Sequence, residues 1–202
     1  MELLVATKNR KKLQEIKEIL SGVGLEIISL GSCGRMPRII ENGRTFKENA
    51  VKKAVKAAHF TKKLTLGEDS GLCVYALDGG PGVYSSRFSG KNKSDAQNNK
   101  KLLAALEGLP FNKRKAYYAC AAALADSRGL IGVVEGRCSG VIGFELKGSH
   151  GFGYDPLFVI PRYKKTFAQL GEKIKHKMSH RCHALRKVRK ILLKYIEHCT
   201  NA

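Results

Sequence analysis

The chain has 202 residues and carries 37 Lys and Arg against 17 Asp and Glu, a formal charge of +20. Its length suits one domain with a substantial core, and it holds no apolar run of the ~18 residues that a membrane span needs. The opening Met1-Glu2-Leu3-Leu4-Val5 has no basic leader or cleavage site, so a cytoplasmic protein is expected, with its six scattered cysteines reduced and mostly buried.

Leu3 to Ala6 reads as a short strand that stops at Thr7-Lys8-Asn9. Leu13, Ile16, Ile19 and Leu20 then give a helical stripe ended by Gly22 and Gly24, and Leu25 to Leu30 alternate as a second strand. Thr45 precedes a helix carrying Phe46, Ala50, Ala54, Ala57 and Ala58, and Glu48, three residues on, predicts a capping box. That helix leads to a strand at Leu64 to Leu66, which ends in two adjacent acids, Glu68 and Asp69, followed by Ser70-Gly71.

Leu72 to Ala76 looks extended, Asp78 to Gly82 is a turn by composition, and Ser94 to Leu106 is a helix. Three strand-like runs follow, Ala116 to Ala125, Leu130 to Glu135 and Arg137 to Ile142, an antiparallel meander. A last helix from about Ser179 to Cys199 puts Leu185, Val188, Leu192, Tyr195 and Ile196 on one face and its cations on the other. The expected fold is an α/β sheet protein with an antiparallel portion. No repeat or linker divides it, so 1–202 reads as one domain.

Four segments carry the candidate chemistry. Neighbouring carboxylates repel unless a cation joins them, and oxygen ligands of this kind suit Mg²⁺ with substrate phosphates, although Asp69-Ser70-Gly71 is also good turn chemistry. Thr7-Lys8-Asn9-Arg10-Lys11-Lys12 precedes a helix, where backbone N–H groups and Lys12 can cradle a phosphate; a plain helix cap fits equally. In Gly151-Phe152-Gly153-Tyr154-Asp155-Pro156 an aromatic between glycines can stack on a purine while Asp155 accepts hydrogen bonds; the plain alternative is a turn with a core aromatic. Ser179-His180-Arg181, with Lys175 and Lys177 upstream, offers donors to an anion or base. His176, His180 and Cys182 or His183 match no closed zinc pattern.

Taken together these stretches resemble the inosine triphosphate pyrophosphatase family. The resemblance covers nearly the whole chain, through T-x-N-x-x-K at Thr7 to Lys12, E-x-G-x-T-F-x-E-N-A at Glu41 to Ala50, E-D-S-G-L at Glu68 to Leu72, P-G-V-Y-S-S-R-F-S-G at Pro81 to Gly90, G-F-G-Y-D-P and S-H-R. It implies an elongated two-lobed α/β fold with a central substrate groove. It also implies Mg²⁺-dependent cleavage of ITP, dITP and XTP to the monophosphate and pyrophosphate. By the family pattern Asp69 is the base and a metal ligand, Glu41 and Glu68 are further acids at the metal, and Thr7, Asn9, Lys12, Lys53 and Ser70 hold the triphosphate. Phe152, Asp155, Lys175, His180 and Arg181 hold the base.

The sequence departs from the family in two places. Many relatives have two Asp where this chain has Glu68-Asp69, and the familiar Lys-Asn pair reads Lys175-His176 here, with Lys177 as the alternative cation. The family commonly forms homodimers, and the Pro81 to Gly90 run is the expected interface. The basic residues are spread along the chain instead of gathered in one stripe, so no nucleic-acid partner is expected despite the charge. Asn92-Lys93-Ser94 matches a glycosylation acceptor, a reading set aside with the cytoplasmic one.

Overall fold

The computed structural model describes residues 1–34, 36–91 and 93–200. Asn92, of the glycosylation-type triplet, lies outside them. Seven strands form one mixed sheet: β1 (Glu2–Val5), β2 (Glu26–Ser29), β3 (Thr65–Val74), β4 (Lys115–Asp126), β5 (Gly129–Ile142), β6 (Phe158–Ile160) and β7 (Lys165–Thr166). Their order is β2-β1-β3-β4-β5-β6-β7, with β1 parallel to β2 and β3, and β6 antiparallel to β5 and β7. The helices are α1 (Arg10–Ile19), α2 (Phe46–Thr61), α3 (Asp95–Ala105), α4 (Phe167–Leu170), α5 (Glu172–Met178) and α6 (His180–Thr200). No helix among the described residues is long and apolar enough to cross a membrane.

The chain forms two compact units. The first takes Met1–Asp69, Cys120–Gly136 and the chain from Arg181 onward; the second takes Ser70–Ala119 and Arg137–His180. In the first unit β4 is buried on both faces, as an inner strand should be. Cys120, Ala122 and Leu124 join Leu66, Ile16, Leu185, Val188 and Leu192 in one core cluster. Ala121, Ala123 and Ala125 meet the Ala50, Ala54 and Ala58 stripe of α2 in another. The small side chains let that helix approach the sheet closely. Gly67 completes the approach, because a Cβ there would collide with the Ala50 carbonyl and the Ala54 amide.

In the second unit Leu102 and Leu106 of the α3 segment pack with Leu72, Val74, Tyr118, Phe158 and Phe167. Arg114 is buried there, and its guanidinium donates to the carbonyls of Leu106, Ile142 and Gly143 at 2.7 to 2.9 Å. Gly140 belongs to this packing as well, since a Cβ would strike the Phe158 ring.

Several expectations need correction. The strand does not end at the acidic pair: β3 continues through Glu68 and Asp69 to Val74, so the two expected segments are one. Glu68 and Asp69 are both buried, and paired cations let a strand continue through charges that would otherwise need solvent. The two strand runs after Leu130 are likewise one strand, β5, which runs on through Gly136 without a turn. At α2 only half of the capping box forms. Thr45 Oγ1 accepts from the Glu48 amide at 3.1 Å, while the Glu48 carboxylate accepts from the Arg44 N–H at 2.8 Å instead of that of Thr45. Ser179 caps the C-terminus of α5, and α6 starts one residue later.

Gly67→Ala tests the close approach of α2. Forcing a methyl into this contact should cost about 1–3 kcal/mol and lower the melting temperature by several degrees in differential scanning calorimetry. An unchanged melting temperature would show that the helix has room to spare.

Candidate active site

Side chains alternate across a strand, so the two neighbouring acids of β3 leave on opposite faces. Leu66 and Glu68 face the core lined by α1 and α6, while Gly67 and Asp69 face α2. The expectation of two carboxylates sharing one cation at a strand end is therefore replaced by two distinct environments.

On the first face Glu68 Oε1 accepts from Arg181 Nη2 at 3.0 Å and from the Cys120 thiol at 3.3 Å, and Oε2 accepts from Lys12 Nζ at 2.9 Å. Arg181 also binds Glu15 through Nη1, and its side chain is 1% exposed. Burial alone would raise the Glu68 carboxyl, but Arg181, then Lys12 and Lys53, hold it well below its ordinary 4.5. The same carboxylates keep Arg181 firmly charged against its burial.

On the second face Asp69 Oδ2 accepts from Asn49 Nδ2 at 3.0 Å, and Lys53 Nζ lies 3.6 Å from Oδ1. Lys53 also donates to Glu41 at 2.7 Å. Burial raises the Asp69 carboxyl above its ordinary value, and Lys53 and Lys12 offset this only in part. For Lys53 burial works downward, but Asp69 and Glu41 outweigh it and raise the ammonium. The E-x-G-x-T motif arranges this corner: the Gly43 N–H donates to Asn49 Oδ1 at 2.8 Å, and a Cβ on Gly43 would strike Asn49 and Glu48. Glu41 and Asp69 are thus the acids here that share a single ammonium, hard oxygen donors of the kind a divalent cation takes.

The Thr7 to Lys12 turn is a built helix start. Thr7 Oγ1 accepts from the Asn9 amide, and Asn9 Oδ1 caps α1 by accepting from the Lys12 amide, both at 3.1 Å. Lys8, Arg10 and Lys11 are exposed around it.

The second unit holds a further cluster, and Ser70, in the same unit, is half-buried. Asp155 Oδ2 accepts from Lys175 Nζ at 2.6 Å and from the Phe152 amide at 2.9 Å; the Tyr118 hydroxyl lies 3.4 Å from Oδ1. The Lys175 ammonium sits 4.5 Å from the centre of the Phe152 ring, a cation–π distance. His180 stacks on Tyr118 at 4.7 Å with 13° between the rings. Gly151 and Gly153 take φ of 80° and 64°, a left-handed geometry that glycine adopts without strain. Tyr154 is buried, its hydroxyl bound to the Ser85 carbonyl at 2.8 Å, whereas Phe152 stays half-buried. Lys175 is buried and Lys177 exposed.

The structure therefore gathers Phe152, Asp155, Lys175 and His180, and places Arg181 with Glu15 and Glu68. Sequence reasoning missed Glu15, Asn49, Tyr118 and Cys120. Glu15 had a signal: with Lys12, Ile16, Ile19 and Leu20 it falls on the inward stripe of α1, where an acid needs a buried partner.

The sequence profile of the Ham1 family matches residues 3–191. The chain is 50% identical over 192 residues to a dITP/XTP pyrophosphatase of Desulforamulus reducens, covering 95% of this chain and 96% of that protein. It is 46% identical over 183 residues to one of Geobacter sulfurreducens, covering 91% and 92%. Among solved structures, a HAM1 protein from Coxiella burnetii superposes with a TM-score of 0.87 at 38% identity, over 96% of this chain and 99% of that one. The Ham1 protein of Staphylococcus aureus gives 0.85 at 36%, over 95% and 98%.

Arg181→Met leaves Glu15 and Glu68 without their shared cation. The expected loss, read by urea unfolding at neutral pH, is about 3–5 kcal/mol. The depressed Glu68 value stabilises the fold above its ordinary 4.5 and is lost as pH falls below it. The gap between wild type and variant should therefore narrow on acidification; a gap independent of pH would contradict the pairing.

Proposed function

The chain belongs to the Ham1 family, and on that premise we propose that it hydrolyses dITP, ITP and XTP to the monophosphate and pyrophosphate. The observation that carries this reading is the asymmetry of the acidic pair. Glu68 is fully engaged and firmly ionised, whereas Asp69 is buried with its carboxyl raised beside Lys53. The relatives named dITP/XTP pyrophosphatase supply the substrate class.

In this mechanism the α1 turn and the ammonium groups of Lys12 and Lys53 bind the triphosphate, with the helix N-terminus aiding through its dipole. Asn49 fixes the Asp69 carboxylate so that its other oxygen receives a proton from water. The water oxygen bonds to the α phosphorus, the bond to the bridging oxygen breaks, and pyrophosphate departs with that electron pair. A raised carboxyl makes Asp69 a stronger base than an exposed one. Glu41 and Asp69 are the residues that would hold Mg²⁺, which when bound offsets charge on the phosphate oxygens. Lys53, already between the two acids, keeps them in place.

The second unit's cluster takes the base. Phe152 offers a ring for stacking, and Lys175 and His180 offer donors to a 6-oxo group. An amine at that position brings donors against donors and leaves the site's own groups unpaired, which discriminates strongly. The reading places the enzyme in the cytoplasm as a homodimer, without a nucleic-acid partner. For the dimer, Pro81 to Gly90 is the proposed contact, supported by Tyr84, exposed with Arg87 5.0 Å from its ring centre.

Pyrophosphate release from dITP, ITP, XTP, ATP and GTP, with and without Mg²⁺, tests the proposal. We expect kcat/KM for the 6-oxo, non-guanine substrates to exceed that for ATP by about 10²-fold or more, with activity lost in chelator. Equal rates on ATP and ITP would end this reading. Asp69→Asn should lower kcat by about 10²–10⁴-fold while the unfolding midpoint stays near that of wild type.

A further inference from the structure

The loop that carries Phe152 is fixed at two points, and only one of them lies in the base cluster. On one side Asp155 closes the turn: its carboxylate accepts from the Phe152 amide, and its own amide donates to the Phe152 carbonyl at 3.3 Å. On the other side Gly153 points both of its peptide groups at α3. Its N–H donates to Asp95 Oδ2 at 2.7 Å, and its carbonyl accepts from Asn99 Nδ2 at 2.9 Å. Asp95 and Asn99 are four residues apart, so they stand one above the other on the same face of the helix.

The grip is itself rigidly held. Ser94 caps α3 by accepting from the Gln97 amide, Asn98 Oδ1 accepts from the Ser89 amide at 2.8 Å, and Leu102 anchors the helix in the core. Asn99 is 4% exposed. Both residues contact main-chain atoms of the loop. Phe152 stands between Gly151, where a Cβ would strike the Asp155 carboxylate, and the clamped Gly153. A shift of Gly153 would therefore move the ring that Lys175 overlies.

We infer that Asp95 and Asn99 are positioning residues that fix the Phe152 ring and so set affinity and selectivity for the base; this rests on the proposed reading of Phe152 and Asp155 as the base site. Neither residue belongs to the Asp69 corner. Their loss should weaken base recognition and spare the chemical step. The part-buried bond of Asn99 carries more of the effect than that of solvent-exposed Asp95.

The test measures kcat and KM for dITP, the dITP/dATP ratio of kcat/KM, and competitive inhibition by inorganic tripolyphosphate, which lacks a base. Asn99→Ala should raise KM about tenfold and Asp95→Ala about threefold. In both, kcat should stay within about twofold, the dITP/dATP ratio should fall, and the tripolyphosphate constant should not move. Asp95→Asn, which keeps an acceptor, should restore near wild-type KM and guards against a fold lost in the alanine variants. Unchanged KM in both alanine variants overturns the inference while leaving the proposed activity standing. A parallel loss of kcat and of tripolyphosphate binding overturns it too, as a general structural effect. If wild type fails to prefer dITP over dATP, the base-site reading fails and the inference with it.

Discussion

A carboxylate in the middle of an inner strand is the constraint on which the first unit depends. Glu68 is buried, and an uncompensated charge there would cost several kcal/mol. The chain meets that cost with cations from two distant segments, Lys12 of α1 and Arg181 of α6. Arg181 in turn requires Glu15. One interior network thus ties α1, β3 and the start of α6 together, where packing alone would leave their register looser.

Filling one face of β3 with this network leaves the other face to Asp69, the base of the proposed mechanism. Asp69 has an amide from Asn49 and a shared ammonium from Lys53. Its carboxyl is raised where that of Glu68 is lowered. Environments that push two carboxylates in opposite directions separate a permanently charged group from one able to exchange a proton. Gly67 contributes by admitting α2, which brings Asn49 and Lys53 to Asp69.

Much of this was legible in the sequence because it is local. The apolar stripe of α1, the alanines of α2 and the cap at Thr45 depend on residues within a turn or two. The motifs also named most of the clustered residues, including Lys175, whose bond to Asp155 favours it over exposed Lys177. What escaped was non-local. The length of β3 was hidden because buried charges look like a strand end until their partners, as far away as Arg181, are known. The grip of Asp95 and Asn99 on Gly153 spans more than fifty residues, and no periodicity reports it. Arg181 was read with its sequence neighbours Ser179 and His180, yet helical geometry sends adjacent side chains in different directions, and Glu15 and Glu68 receive it.

The division of labour between the two acids is the central claim, and a pair of double-mutant cycles in urea unfolding tests it most directly. Glu68→Gln combined with Arg181→Met should show a coupling of about 2–3 kcal/mol, whereas Asp69→Asn combined with Arg181→Met should show under about 0.5 kcal/mol. Equal coupling in the two cycles would contradict the account, since it would mean that Arg181 serves both carboxylates alike.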